Sequence, residues 1–544
     1  MKRYPAKFWA PAYSLTLALV VTGPLLAPGY LLLRDAVSTP RSYLSDAALG
    51  LSAAAPRALP QDFAVALASQ VVDGGVVVKV LLIAGLWLAG WGSARLAAHV
   101  LPDAGVPGQV VAATLAVWNP YVAERLLQGH WSLLVGYGCL PWVAVTVLRM
   151  RTTSGRRWVD VCALAFWIAL AGLTPTGLML AATVALVCTF APGSGRSRML
   201  CAGVGLGAAF VAALPWLTAA TVAESLLSSQ AEGVRAFAAR AEPGLATLGS
   251  LASLGGIWNG EAVPASRTTL FAVIAAVVLL GVVAAGLPVA LRRPAAVPLL
   301  VLAAAAVVVP TLMATAPGLA VVESLVRAMP GLGVVRDGQK WVALAVPGYT
   351  LAAAGAVVTL RRWMPAVAAA AVCSLALIAT LPDLAWGVGG KVVAVQYPPA
   401  WAAAAATINA DPRPVAVLPP GSMRHFPWAG DAPVLDPLPR WVRADVLTTG
   451  DLTISGRLVP GEGGRAREVE GLLAAGADRD TLARAGVGWL VTESGDDVTV
   501  TRIGGDYPAS PHRPLMLVTH AVWLAMLVAG GAGALAGRTR TRLG

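Results

Sequence analysis

"SLTLALVVTGPLLAPGYLLLRD", residues 14–35, decides how this chain is read. A run of leucine, valine and alanine about 20 residues long, enough for one bilayer crossing, ends abruptly in Arg34 and Asp35. The run reads as a first span over 13–33, ending at the membrane edge. A cleaved signal peptide is the competing reading. The apolar stretch exceeds the roughly 7–15 residues of a signal h-region and no small-residue cleavage site follows it cleanly, so a retained span is expected.

The same pattern recurs along the chain. Hydrophobic residues make up 57% and charged residues 12% of 544, and the mean hydropathy is +0.70. A soluble domain carries roughly 25% charged residues, so a polytopic membrane protein is expected. Apolar runs are marked at 13–33, 76–98, 106–122, 131–149, 158–173, 175–192, 199–220, 268–290, 295–315, 341–360, 364–386 and 514–536.

The net charge of +12 is not a nucleic-acid signature, because the basic residues sit in short clusters between these runs. With the N-terminus inside, Lys2, Arg3 and Lys7, Arg95, Arg149, Arg151, Arg156 and Arg157 fall on the cytoplasmic side. So do Arg196 and Arg198, Arg292 and Arg293, Arg361 and Arg362, and Arg538, Arg540 and Arg542. Merging the two short runs around 173–176 would break that agreement for every later loop. The fold class expected is therefore an α-helical polytopic membrane protein of about twelve transmembrane helices, with both termini inside.

The polar material left outside includes 34–75, 123–131, 221–267, 316–340 and the long segment 387–513. The expected division is a transmembrane domain at 1–386, an exterior α/β domain at 387–513, and a last helix with a basic tail at 514–544. A helix at 398–411, a strand at 414–420, a helix end followed by a strand within 481–494, and an alternating strand at 497–503 mark the α/β part. Its loop 419–445, rich in Pro, Trp and Arg, is read either as an ordered surface loop or as a lid or binding edge for a glycan. The five cysteines lie in or beside apolar runs without metal-ligand spacing, so neither a disulfide framework nor a metal site is expected.

Four stretches carry charge at the outer boundary. The first is Arg34–Asp35 with Tyr43 and Asp46. The second, "WNPYVAERLLQGHWSLLVGYGCLPW" (118–142), contains Glu124, Arg125, Gln128, His130 and Trp131. The third, 224–240, is expected to form an interfacial amphipathic helix. The fourth, "MPGLGVVRDGQKWVAL" (329–344), contains Arg336, Asp337 and Lys340. Ionisable groups at such depth are costly unless paired or functional. Arg336 and Lys340, four apart, are expected on one helix face, where they can hold a phosphate, with Asp337 orienting one of them. For Asp35 two readings stay open: a helix-end carboxylate paired with Arg34, or a base at the bilayer surface.

The layout resembles the GT-C integral-membrane glycosyltransferases, and among them the actinobacterial arabinofuranosyl- and mannosyltransferases of cell-envelope synthesis. The likeness rests on the acidic residue in the first exterior loop, on 119–143 and on "VVRDGQKW" (334–341). It implies an inverting enzyme that transfers a pentose or hexose from a polyprenyl-phosphate sugar to a glycan or lipoglycan acceptor on the outer face of the plasma membrane. It implies Asp35 as catalytic base, with Arg336, Lys340 and His130 binding the donor phosphate. Arg34, Glu124, Arg125, Trp131 and Asp337 would support the site or contact substrate, and Trp142 would anchor at the interface. The first loop shows "RD" where the superfamily commonly has paired acidic residues, which leaves metal dependence open; no other cofactor is implied. The alternative from another class is an inactive scaffold or lipid-carrier transporter of the same ancestry. The near absence of charge deep inside the runs argues against translocation. A receptor or adhesin using 387–513 would not need the cations at 336–340.

Overall fold

The computed structural model describes residues 6–52, 58–152, 157–222, 230–329, 332–454 and 456–539. Helices dominate up to residue 379. They are α1 (Ala6–Thr22), α2 (Gln61–Ala68), α3 (Gly74–Val100), α4 (Gly105–Val117), α5 (Pro120–Leu127), α6 (Trp131–Thr152), α7 (Arg157–Ala171) and α8 (Pro175–Cys188). Then come α9 (Arg198–Val222), α10 (Ala246–Ala252), α11 (Phe271–Leu291), α12 (Val297–Met313), α13 (Ala316–Ala328), α14 (Val346–Leu360) and α15 (Ala366–Ala379). Another long helix, Arg513–Thr539, follows the α/β part.

Among the described residues, seven helices are long and apolar enough to cross a membrane, or up to nine if two bent pairs each count as one. The pairs are α12 with α13, bent by 90°, and α15 with Pro382–Gly390, bent by 75°. The α7 and α8 helices are apolar but shorter. The chain is thus a multi-pass membrane protein by helix length and composition. The apolar stretch of α6 is buried throughout its length, while Arg149 and Thr152 near its end are exposed. Its approach to α3 is backbone against backbone: a Cβ on Gly138 would lie 2.2 Å from the Gly85 carbonyl oxygen. Small residues at helix crossings allow such approach, and dispersion between closely packed backbones then holds the pair.

The leucine run that opens the reading is where the fold departs from expectation. The first helix ends at Thr22 and a 3₁₀ turn, Gly23–Leu26, follows it. Residues Tyr30–Leu33 are a strand, β1, which turns through two residues into β2 (Ala36–Val37), with Leu33 opposite Ala36. On its other edge β1 pairs antiparallel with β3 (Ala394–Val395). Strand alternation sends Leu31 and Leu33 into the helical core and Leu32 into the core of the α/β part. A strand buried on both faces has no polar alternation, so in sequence it is indistinguishable from the end of an apolar helix. The span expected over 13–33 is corrected accordingly.

The α/β part has the expected elements. The helix Pro399–Ala410 packs on a sheet in which β4 (Val415–Leu418) lies parallel to β9 (Trp489–Ser494), and β9 antiparallel to β10 (Asp497–Arg502). Between them run two small ribbons, β5 (Met423–Arg424) with β6 (Val434–Leu435), and β7 (Leu452–Ile454) with β8 (Arg457–Val459). Trp401, Phe426, Val434 and Trp441 form a core that also receives Leu32 and Val37. The first loop is therefore built into the α/β part.

Candidate active site at the hairpin turn

Arg34 and Asp35 are the two turn residues between β1 and β2. Arg34 adopts φ of 49°, a left-handed conformation that costs a non-glycine residue about 1–2 kcal/mol. It is held there by the chain on both sides: its N–H donates to Pro433 O at 2.9 Å, and Leu435 N–H donates to its carbonyl at 2.8 Å. Its guanidinium donates to Leu127 O at 2.7 Å and to Glu261 O at 3.0 Å. Arg34 makes no ion pair with Asp35, and Asp35 is on a hairpin turn 13 positions after the Thr22 helix end, so the helix-end reading of Asp35 is overturned.

The partners of Asp35 come from the junction of α5 and α6. The Asn119 side chain caps α5 by accepting from Val122 N–H at 3.1 Å, and Pro120 at the first helical position starts it. Beyond the eight residues of α5 and Gln128 the chain turns at Gly129, with φ of +82°, and restarts at Trp131. Through this turn Gln128 O accepts from Asp35 N–H at 3.2 Å. The Gln128 amide nitrogen donates to Asp35 Oδ2 at 2.9 Å, and His130 Nε2 lies 3.0 Å from the same oxygen. Gln128 Oε1 in turn accepts from Asn259 at 2.8 Å.

Behind His130 runs a buried polar chain. Arg125 Nη1 is 3.1 Å from His130 Nδ1. The same guanidinium forks onto Asp337 at 2.9 and 3.2 Å and donates to Gln339 Oε1. Lys340 Nζ lies 3.8 Å from Asp337. Glu124, immediately before Arg125 in α5, accepts from the N–H groups of Gly256 and Ile257, both at 3.1 Å, and from Gln339 at 2.9 Å. Glu124 and Arg125 are fully buried. They fasten three separate parts of the chain: α5, the 255–260 loop and the 337–345 segment.

The charge states follow from these contacts. Burial by itself would raise the Asp35 carboxyl, but hydrogen bonds from His130 and Gln128 and the charge of Lys340 hold it below the usual carboxylate value. About 40% of its side chain nonetheless faces open space. Burial depresses the His130 imidazole below its usual value; Asp35 opposes this, while Lys340 and Arg125 add to it. Burial would likewise raise Asp337, but Arg125 and Lys340 bring it down to about 2. At neutral pH the site holds an Asp35 carboxylate beside a neutral imidazole.

That open space is a cavity of about 1700 Å³. Asp35, His130, Trp131, Arg336, Asp337 and Lys340 line one side, and Ser422, Asp436, Thr449 and Asp451 of the α/β part line another. Much of the 419–445 loop lines it too, from Pro420 to Arg440.

Other expectations are corrected. Arg336 and Lys340 do not share an α-helical face: the segment Gly338–Ala345 is a 3₁₀ helix and Arg336 precedes it. Arg336 instead lies over the Phe237 ring, 4.2 Å from its centroid. Only 230–240 of the third stretch lies within the described residues, and there a 3₁₀ turn, Gln230–Gly233, a further turn over 234–237 and irregular chain are found in place of the amphipathic helix. Trp142 is no interfacial anchor; it sits mid-helix in α6, packed against Trp91 and Trp167 with its N–H on Leu88 O. Asp46 pairs with Arg513 at the start of the last helix. His130, expected among the phosphate ligands, has both ring nitrogens engaged by Asp35 and Arg125. Asn259, Gln339 and Glu261 were not singled out. Gln339 lies inside the 329–344 stretch, but nothing in the sequence links Asn259 or Glu261 to residues more than a hundred positions away.

No family model matches the chain, and no curated protein matches it. Among solved structures the fold is similar to that of arabinofuranosyltransferase AftD from Mycobacteria. The TM-score is 0.54 and the identity 18%, over 90% of this chain and 35% of that one. Two structures of a mutant of the same protein match with a TM-score of 0.51, at 19% and 18% identity, over 91% of this chain and 37% of theirs. The chain thus spans little more than a third of the chains it matches. What it shares with them is a fold.

Proposed function

We propose that the chain is a cell-envelope glycosyltransferase of the GT-C type, which moves an arabinofuranosyl or mannosyl unit from a polyprenyl-phosphate donor to a glycan or lipoglycan acceptor on the outer face of the plasma membrane. The fold likeness to an arabinofuranosyltransferase supports the class. One observation carries the chemistry: a carboxylate with one oxygen fixed by two donors opens onto a large cavity that cations also line.

In this reading Asp35 takes the proton of the acceptor hydroxyl as that oxygen attacks the anomeric carbon. The bond from that carbon to the phosphate oxygen breaks on the opposite face, which inverts the configuration. Negative charge gathers on the departing polyprenyl phosphate, and Lys340 and Arg336 stabilise it electrostatically, more strongly than in water once donor and acceptor fill the cavity and exclude solvent. Asp337, itself fixed by Arg125, holds Lys340 in place. Twelve spans, both termini inside and an exterior α/β domain at 387–513 complete the proposal; that topology puts Asp35 at the outer membrane boundary.

The test is transfer by purified protein in nanodiscs, offered synthetic polyprenyl-phosphate-arabinofuranose and polyprenyl-phosphate-mannose with short envelope-glycan acceptors. Transfer that falls by about 10²-fold or more in a folded Asp35→Asn protein supports the assignment. Absence of transfer with every donor, while polyprenyl phosphate still binds, moves the scaffold or carrier reading ahead.

A further inference from the structure

We propose that His130 is a positioning residue for Asp35, held by Arg125 as the neutral Nε2–H tautomer, and is not a ligand of the donor phosphate. The inference rests on the reading of Asp35 as the base, and refines it.

The tautomer follows from what each neighbour is able to do. A guanidinium only donates, so the Arg125 Nη1 that lies 3.1 Å from His130 Nδ1 requires a bare, accepting Nδ1. A carboxylate only accepts, so the 3.0 Å contact with Asp35 Oδ2 requires a proton on Nε2. One neutral tautomer satisfies both. An imidazolium would aim an Nδ1–H at a donor and set two cations against each other. Arg125 is not free to withdraw, because its fork on Asp337 and its bond to Gln339 fix the guanidinium. The charged groups around the ring are Arg125 from α5, Asp35 from the hairpin, and Asp337 and Lys340 from the 337–345 segment.

The consequence for Asp35 is directional. His130 and Gln128 both donate to Oδ2, while Oδ1 accepts no hydrogen bond from the described residues. Two donors on one oxygen set the plane of the carboxylate and leave the other oxygen to take the proton. A neutral ring with both nitrogens engaged offers a phosphate neither charge nor a spare donor.

Two measurements test this. The first compares His130→Ala with His130→Gln in the transfer assay. Gln places an N–H near the Nε2 position and an acceptor oxygen toward Arg125. Misplacement of a reacting group by about 1 Å costs on the order of 10²-fold, so His130→Ala should lower kcat by about 10- to 100-fold with donor KM little changed. His130→Gln should recover most of that loss. A phosphate ligand would behave otherwise: donor KM would rise in both variants and Gln would fare no better than Ala, which would overturn the proposal. The second measurement needs no activity. In ¹⁵N-histidine-labelled wild type, the resonances missing from His130→Gln should report a bare Nδ1 and a protonated Nε2 at pH 7. An imidazolium or an Nδ1–H tautomer there would overturn the proposal. Wild type inactive with every donor would overturn the glycosyltransferase reading, and with it the role of Asp35, while the spectrum would still decide the tautomer.

Discussion

Gly129 and Ala36 meet backbone to backbone. A Cβ built on Gly129 would sit 2.3 Å from the Ala36 nitrogen and 2.4 Å from the Leu33 carbonyl oxygen. This approach presses the α5–α6 turn onto the β1–β2 hairpin, and it lets Gln128 and His130 reach Asp35 from either side of the same glycine.

Gly129→Ala should therefore damage the site more than one methyl suggests. Its φ of +82° alone costs an alanine about 1–2 kcal/mol, and the clash is with backbone that has no side chain to swing aside. The expected outcome is a lowered melting temperature in detergent and at least about a tenfold loss of transfer through displacement of the Asp35 partners. Unchanged melting and unchanged transfer would mean that the two loops are not held by this approach.

Arg125 and Asp337 form a pair that is almost wholly buried. Removing one partner strands the other charge, at a cost of about 3–5 kcal/mol. Arg125→Met and Asp337→Leu should each lower thermal stability sharply. The double variant should lose clearly less than the sum of the two, with a coupling of about 1 kcal/mol or more in a double-mutant cycle. Simple additivity would show that the pair does not act as a unit.

Lys340→Met removes a cation from the cavity and from the surroundings of Asp35. In the proposed reaction kcat/KM should fall by about 10²-fold, because charge stabilisation at the leaving phosphate is lost. The Asp35 carboxyl should also titrate at higher pH, since Lys340 helps to hold it down. The acid limb of the rate profile would then move upward. A profile that does not move would separate Lys340 from Asp35.

The pH dependence of stability has a definite sign. His130 is depressed below 6.5 in the folded chain, so as pH falls below that value the unfolded chain takes up a proton first. The stability contributed by a neutral, buried His130 is full above pH 6.5 and declines below it, down to the folded value. Asp35 is depressed below 3.8, so its contribution is present above that pH and is lost only as pH falls through the lower folded value. Melting curves between pH 8 and pH 4 should show the histidine decline, and His130→Gln should flatten it. A decline of equal slope in His130→Gln would assign the effect to another group.

Much of the helical plan was legible because a helix that must satisfy every backbone group in lipid needs a long, unbroken apolar run. The strands at β4, β9 and β10 were legible as short apolar or alternating runs between turn signals. All four stretches chosen for their boundary charge were local features of this kind, and two of them, 118–142 and 329–344, supply the partners that surround Asp35. The sequence by itself thus determined the class of the fold, the order of most of its long helices and of β4, β9 and β10, and which short stretches carry uncommitted charge.

Only the tertiary structure decided what Tyr30–Leu33 is. Burial on both faces erases the period of two that would distinguish a strand from a helix end. It also decided the company that Asp35 keeps. His130 and Gln128 lie about 95 positions along the chain, and Asp337, which fixes Arg125 behind them, lies another 200 or so beyond; pairing at such separation leaves no local pattern. The backbone of Gly129 brings the first two together with Asp35, and the fork of Arg125 on Asp337 brings in the third. The charged residues were visible one by one, but their arrangement depends on desolvation and hydrogen bonding that exist only once these segments have packed.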